Sequence, residues 1–203
     1  GPAGGKALAE ALKFNAALTE CNVRSNNLDR ESATALAKVA SEKRVMLFGI
    51  KHDQTEANFG SQQLGPLDAI LIASDLQFMA VLYSLDLSAN RICGINRVGK
   101  GIYDASGISA LAKALKVKRG LTECNMLQNY LNDPCATMLA KIGTKKRIML
   151  SGIKHDQTKA DFRYENLKPV EGILIASDLR VSGVLTSLRL SSNNLTDNGE
   201  DMT

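Results

Sequence analysis

The sequence predicts an α/β fold: strand-then-helix units wound as a right-handed solenoid, a parallel sheet on one side and helices on the other. Three observations predict it. The chain is written twice, a shorter hydrophobic motif recurs inside each copy, and aromatic residues are scarce. The words common to both copies are GIKHDQT at 49–55 and 152–158, ILIASDL at 70–76 and 173–179, and LTECN at 18–22 and 121–125. Each pair is offset by 103 residues. Self-similarity at a fixed period is the signature of repeat architectures. Aromatics make up only 4% of the 203 residues, and Trp is absent. A compact single core leans on aromatic bulk; thin layers of Leu, Ile, Val and Ala do not.

The elements follow in chain order. GGKALAEALK (4–13) carries apolar residues at three- and four-residue spacing, as an amphipathic helix requires. Leu18, Cys21, Val23, Asn26 and Leu28 then fit the pattern LxxLxLxxNxL. Two apolar residues at i and i+2 point to one face of a short strand. The Asn that follows sits where the chain turns, and its amide can satisfy backbone groups that the sheet leaves unpaired. A helix over 31–40 returns the chain. Next comes VMLFGIKHDQT (45–55), with its twin IMLSGIKHDQT (148–158). It looks like a strand, yet only ten residues separate Leu47 from Ala57. That is too short for a helical return path, so an extra strand or extended connector is expected, interrupting the coil once per copy. Ala57, Phe59, Gln62 and Leu64 form a degenerate motif that lacks the turn Asn. A helix over 66–76 follows, with Pro66 where a first turn tolerates it.

The third motif is Leu82, Leu85, Leu87, Asn90 and Ile92, followed by a glycine-rich stretch and a helix over 105–116. The second copy supplies Leu121, Cys124, Met126, Asn129 and Leu131. After it come Ala160, Phe162, Glu165 and Leu167, a helix over 169–179 opened by Pro169, and Leu185, Leu188, Leu190, Asn193 and Leu195. The six units are spaced 36, 28, 39, 36 and 28 residues apart.

The strand motif, together with GGKALAEALK and GISALAKALK (107–116), resembles the ribonuclease-inhibitor-like class of leucine-rich repeats. That class includes the repeat domains of NOD-like receptors and of Ran GTPase-activating proteins. The resemblance covers essentially the whole chain, and four of the six units match the motif fully. It implies a curved horseshoe with the sheet on its concave side, helices on its convex side, and a role in protein recognition. The expected organisation is one solenoid over 1–203, made of two tandem copies (about 5–103 and 108–203) of a three-repeat unit. Neither end carries the polar cap of a terminal repeat, so an excerpt of a longer array is expected.

The net charge of +4 and pI near 8.9 are mildly basic. The densest basic run, KKR at 145–147, has no interleaved stacking aromatics, which argues for a solvated helix end and against nucleic acid. No apolar run approaches a membrane-spanning length, so no membrane insertion is expected. Four cysteines occur without a CxxC pair: Cys21 and Cys124 at equivalent core positions, Cys93 and Cys135 with no cysteine counterpart. With no signal-peptide pattern at the start, this usage suggests the cytoplasm or another reducing intracellular compartment.

No cofactor or metal is expected. GINRVGKG (94–101) spells most of a phosphate-binding loop, but Gly101 stands where a magnesium-binding hydroxyl belongs. His52–Asp53 and His155–Asp156 lack a further ligand at metal spacing and read as parts of the connector. Asp75 and Asp178 fall near helix C-termini, where a carboxylate is unfavourable; no pattern in the sequence accounts for them.

The residues between the buried strand positions should form the concave surface. They are Glu20, Asn22 and Arg24; Glu56, Asn58 and Gly60; Ser84, Asp86 and Ser88; Glu123, Asn125 and Leu127; Lys159, Asp161 and Arg163; and Ser187, Arg189 and Ser191. The asparagines and the charged residues among them are the expected partner-binding residues. Glu20, Arg24, Glu56, Asp86 and Glu123 carry a net −3, whereas Lys159, Asp161, Arg163 and Arg189 carry +2. Such a mixed-charge face suits a protein contact better than an apolar small-molecule pocket. The expected function is a protein–protein interaction scaffold without catalysis, its protein partner unidentified. A regulator of a small GTPase, or a structural subunit of a large assembly, are the alternatives.

Overall fold

A computed structural model describes residues 2–96 and 98–196. The protein is a mixed α/β structure with, among the described residues, six helices and five short parallel strands, which alternate from α2 onward, and no closed barrel forms. In chain order the elements are α1 (Pro2–Phe14), α2 (Arg30–Lys43), β1 (Glu56–Asn58), α3 (Pro66–Leu76), β2 (Ser84–Asp86), α4 (Ser106–Val117), β3 (Glu123–Asn125), α5 (Asp133–Lys146), β4 (Lys159–Asp161), α6 (Pro169–Leu179) and β5 (Ser187–Arg189). β1 with β4, β2 with β5, α2 with α5, and α3 with α6 recur at the 103-residue offset of the sequence. Each helix packs against the next in chain order. Helix α5, twin of α2, is the one whose own pattern had not marked it out.

Local chemistry sets the boundaries. Asp29 and Asn132 cap α2 and α5, accepting from the backbone N–H of Ser32 (2.9 Å) and Cys135 (3.0 Å). Helices α3 and α6 open with proline, and the carboxylates of Asp68 and Glu171 reach back to the N–H of Gly65 and Lys168. Arg44 and Arg147 end α2 and α5 in the left-handed conformation, which turns the chain into the connector.

Strands β1, β2 and β3 pair in parallel with Ala57, Leu85 and Cys124 side by side, and β4 pairs with β5 through Ala160 and Leu188. The connector is an added strand position. Met46 bridges to Glu20 and Met149 to Glu123, so VML lies beside LTECN before the chain folds back. Gln54 closes that fold: it accepts from Lys51 N–H (3.2 Å) and donates to the Glu56 carbonyl (2.6 Å). Gln157 does the same with Lys154 and Lys159. The sheet breaks here into its two segments.

Asp75 and Asp178 now have a physical account. The Asp75 carboxylate accepts from the backbone N–H groups of Leu47 and Phe48, both at 2.8 Å, which the broken sheet leaves without a strand partner. Asp178 serves Leu150 (2.7 Å) and Ser151 (2.8 Å), and takes the Ser151 hydroxyl as well (2.6 Å). Both aspartates are fully buried. Burial pushes the Asp75 carboxyl up to about 6, opposed by its hydrogen bonds, and raises Asp178 in the same way. In each copy the aspartate of ILIASDL therefore bonds the two residues that run into GIKHDQT.

The turn asparagines act as expected. Asn90 donates to the carbonyls of Phe59, Leu87 and Ser88 and accepts from Gln62 and Leu64 N–H. It thereby fills the place of the Asn that the preceding turn lacks, and Asn193 does so for Phe162 and Leu167. A continuous core runs from Ala9 in α1 to Ile175 in α6. Expected equivalence fails towards the ends. Leu85 and Cys124 are buried, but Leu188 and Cys21 are only half-buried, and Leu18 is 39% exposed where its twin Leu121 is 4%. Leu188 lies on β5, which has a strand neighbour on one side only.

Candidate interaction face

Strand register arranges the expected partner-binding residues in rows. Glu56, Ser84 and Glu123 form one row, Asn58, Asp86 and Asn125 the next. On the second sheet segment Lys159 stands beside Ser187 and Asp161 beside Arg189. In β1 and β4 only the middle residue is buried, so the flanking side chains point to solvent.

One row has a structural duty that sequence reasoning missed. Asn22, Asn58, Asp86, Asn125 and Asp161 each accept from the backbone N–H two residues on, at 3.1, 2.9, 2.8, 3.2 and 3.2 Å. These are Asx turns that end the strands. The signal was present: Asn or Asp closes the words ECN, EAN, SLD, ECN and KAD. Gly49 and Gly152 complete the arrangement around Asn22 and Asn125. Both adopt positive φ (82° and 78°), and a Cβ there would lie 2.5 and 2.8 Å from the Asn amide nitrogens.

The charged residues divide between the sheet segments. Glu56 accepts the Tyr83 hydroxyl, which raises that hydroxyl above its ordinary range, and Glu123 accepts from Ser84 (3.0 Å). Glu20 is exposed beside the connector. Arg24 is half-buried, stacked over Phe48 (5.2 Å) and Phe59 (5.5 Å) and bonded to Gln62. In the second copy Leu127, Ser151 and Glu165 replace Arg24, Phe48 and Gln62. On the basic side Arg163 grips Asp161 through two nitrogens (2.9 and 2.8 Å), and Arg189 approaches the same carboxylate at 3.8 Å. The Arg163 guanidinium holds the Asp161 carboxyl below the usual range. Lys159 is exposed.

The tempting motifs resolve into turns. In the glycine-rich loop the Asn96 side chain accepts from Val98 (3.1 Å) and Lys100 (2.9 Å), so those amides face inward. Helix α4 starts only at Ser106, and Arg97 lies outside the described residues. His155 places a ring nitrogen 3.1 Å from the Arg147 carbonyl. Among the described residues no group of three or more His, Cys, Asp or Glu side chains is placed to hold a metal ion, and no helix is long and apolar enough to cross a membrane. All four cysteines are free; Cys93 and Cys135, which lack counterparts, both meet the Tyr103 hydroxyl. No protein-family model and no curated protein matches this chain.

Proposed function

We propose that the chain is a leucine-rich-repeat solenoid, a horseshoe whose concave strand face docks another protein and performs no catalysis. Parallel strands, helices that pack in chain order and turn asparagines joining neighbouring units all favour this architecture. The observation that carries the functional reading is the division of charge: Glu56, Asp86 and Glu123 lie on one sheet segment, Lys159, Asp161 and Arg189 on the other with Arg163 just past its strand, a net +2 there. A face polarised along its length orients an oppositely polarised partner and rejects reversed docking. The four free cysteines favour a reducing compartment.

The test is comparative capture from native lysate with immobilised wild type and the Arg163→Glu/Arg189→Glu variant. A protein held by wild type and lost from the variant is the expected result. Equal capture by both, with loss only on altering helix residues, would move the working surface to the helices.

A further inference from the structure

We infer that the cleft between α4 and α5 is a second docking site, shaped for an acidic amphipathic helix of a partner protein. The cleft has a volume of about 860 Å³ and is lined by side chains of these two helices. Its floor is apolar: Pro134, Met138 and Ile142 recur every four residues along one face of α5. Its margins are basic, with Lys116 from α4 and Lys141, Lys145 and Lys146 from α5. Asp133 is the one acidic residue of the lining.

The first copy shows how the cleft arises. Helices α4 and α5 touch more sparsely than any other consecutive pair, whereas their twins α1 and α2 pack closely. Gly5 permits that closeness, since a Cβ there would lie 2.5 Å from the Ser32 Cβ. At the equivalent positions the second copy has Ile108 and Cys135, both larger and both buried. Gly107, one residue earlier, instead lets α4 close on α3, where a Cβ would meet the Pro66 carbonyl at 2.7 Å. Helix α4 is thus held against α3 and wedged off α5.

Charge changes with the packing. Glu10, Glu31 and Glu42 of the first copy correspond to Lys113, Pro134 and Lys145 in the second, and Ala35 corresponds to Met138. Glu10 and Glu31 neutralise Lys13 and Lys6 on α1. The second pair of helices has lost all three carboxylates and gained apolar floor. A helix presenting aliphatic residues at i, i+4 and i+8, flanked on both sides by Asp or Glu, matches floor and margins together. An extended polyanion such as RNA would use the lysines and leave Pro134 and Met138 uncovered, which favours the peptide.

The probe is a fluorescein-labelled synthetic helix of about 15 residues, with Leu on one stripe and Glu on both flanks, followed by fluorescence polarisation. Its controls are a scrambled version and one with Lys flanks. The full chain is compared with Met138→Ala/Lys145→Glu, which installs the first copy's residues, and with Lys141→Glu alone at an exposed site should the double variant lose its circular dichroism. Wild type should bind the acidic helix, prefer it to both controls, and bind more weakly as salt rises. The double variant should bind about tenfold more weakly, while Arg163→Glu/Arg189→Glu should bind as wild type does. Failure of wild type to bind the acidic helix, or undiminished binding by the cleft variants, would overturn the assignment. So would binding of single-stranded RNA or anionic vesicles, but not the peptide, through the same lysines.

Discussion

At Asn90 one fully buried amide joins two consecutive turns through three donated and two accepted hydrogen bonds. Asn90→Ala strands several buried backbone groups, each costing about 1–3 kcal/mol, so a loss of at least about 3 kcal/mol is expected in urea titrations. A midpoint unchanged from wild type would show that water replaces the amide at no cost. Leu85→Ala should cost about 2–5 kcal/mol, and Leu188→Ala clearly less because Leu188 is half-buried. Asp75 adds a pH dependence. Its native pKa, about 6, lies above the ordinary carboxylate value. The native state therefore holds this proton more tightly than the unfolded chain. The associated stability is fully present below pH about 4 and is lost as pH rises through about 6, an effect on the order of 2–3 kcal/mol. Asp75→Asn should flatten stability between those limits relative to wild type; parallel pH profiles would refute the assignment. The turn role of Asn90 was legible in the sequence, because the Asn sits at a fixed offset from the strand. That of Asp75 was not, because the amides it serves lie 27 and 28 residues away.

The helices other than α5, and the strands, were legible for the same reason: their apolar residues follow a period that only one element satisfies. The connector was legible as strand-like but not in its route, since nothing in VMLFGIKHDQT says that Met46 pairs back onto Glu20. Its glycines give a direct test. Gly152→Ala places a Cβ against Asn125 at a backbone angle of φ 78°. A loss of about 1–2 kcal/mol is expected, whereas Gly183→Ala, where nothing lies within 4 Å, should change little. Equal effects would mean that the connector relaxes freely. The glycine-rich loop supports a negative expectation. With the Val98 and Lys100 amides turned onto Asn96, calorimetry with ATP or GTP and magnesium should register no binding heat. Micromolar affinity abolished by Lys100→Ala would contradict it. The wedge between α4 and α5 escaped the sequence because it depends on helix spacing, which no single helix encodes.

Across the whole molecule, duplication gives two copies of one scaffold whose surfaces have diverged. The words GIKHDQT and ILIASDL are repeated unchanged, while the strand face turns from Glu56, Gly60 and Asp86 to Lys159, Arg163 and Arg189, and the helix side from Glu42 to Lys145. The candidate face was legible as a set of alternating strand positions. Its partition into Asx turns and charges held by neighbouring side chains was not, because side-chain bonding leaves no mark on alternation. The proposal that the polarised face does the binding is tested most directly by association kinetics. The partner recovered by capture is measured against wild type and Arg163→Glu/Arg189→Glu at low and high salt. A slower on-rate for the variant is expected at low salt, shrinking as the Debye length falls from about 10 Å at 0.1 M to about 3 Å at 1 M. An on-rate identical to wild type at every salt concentration would contradict it.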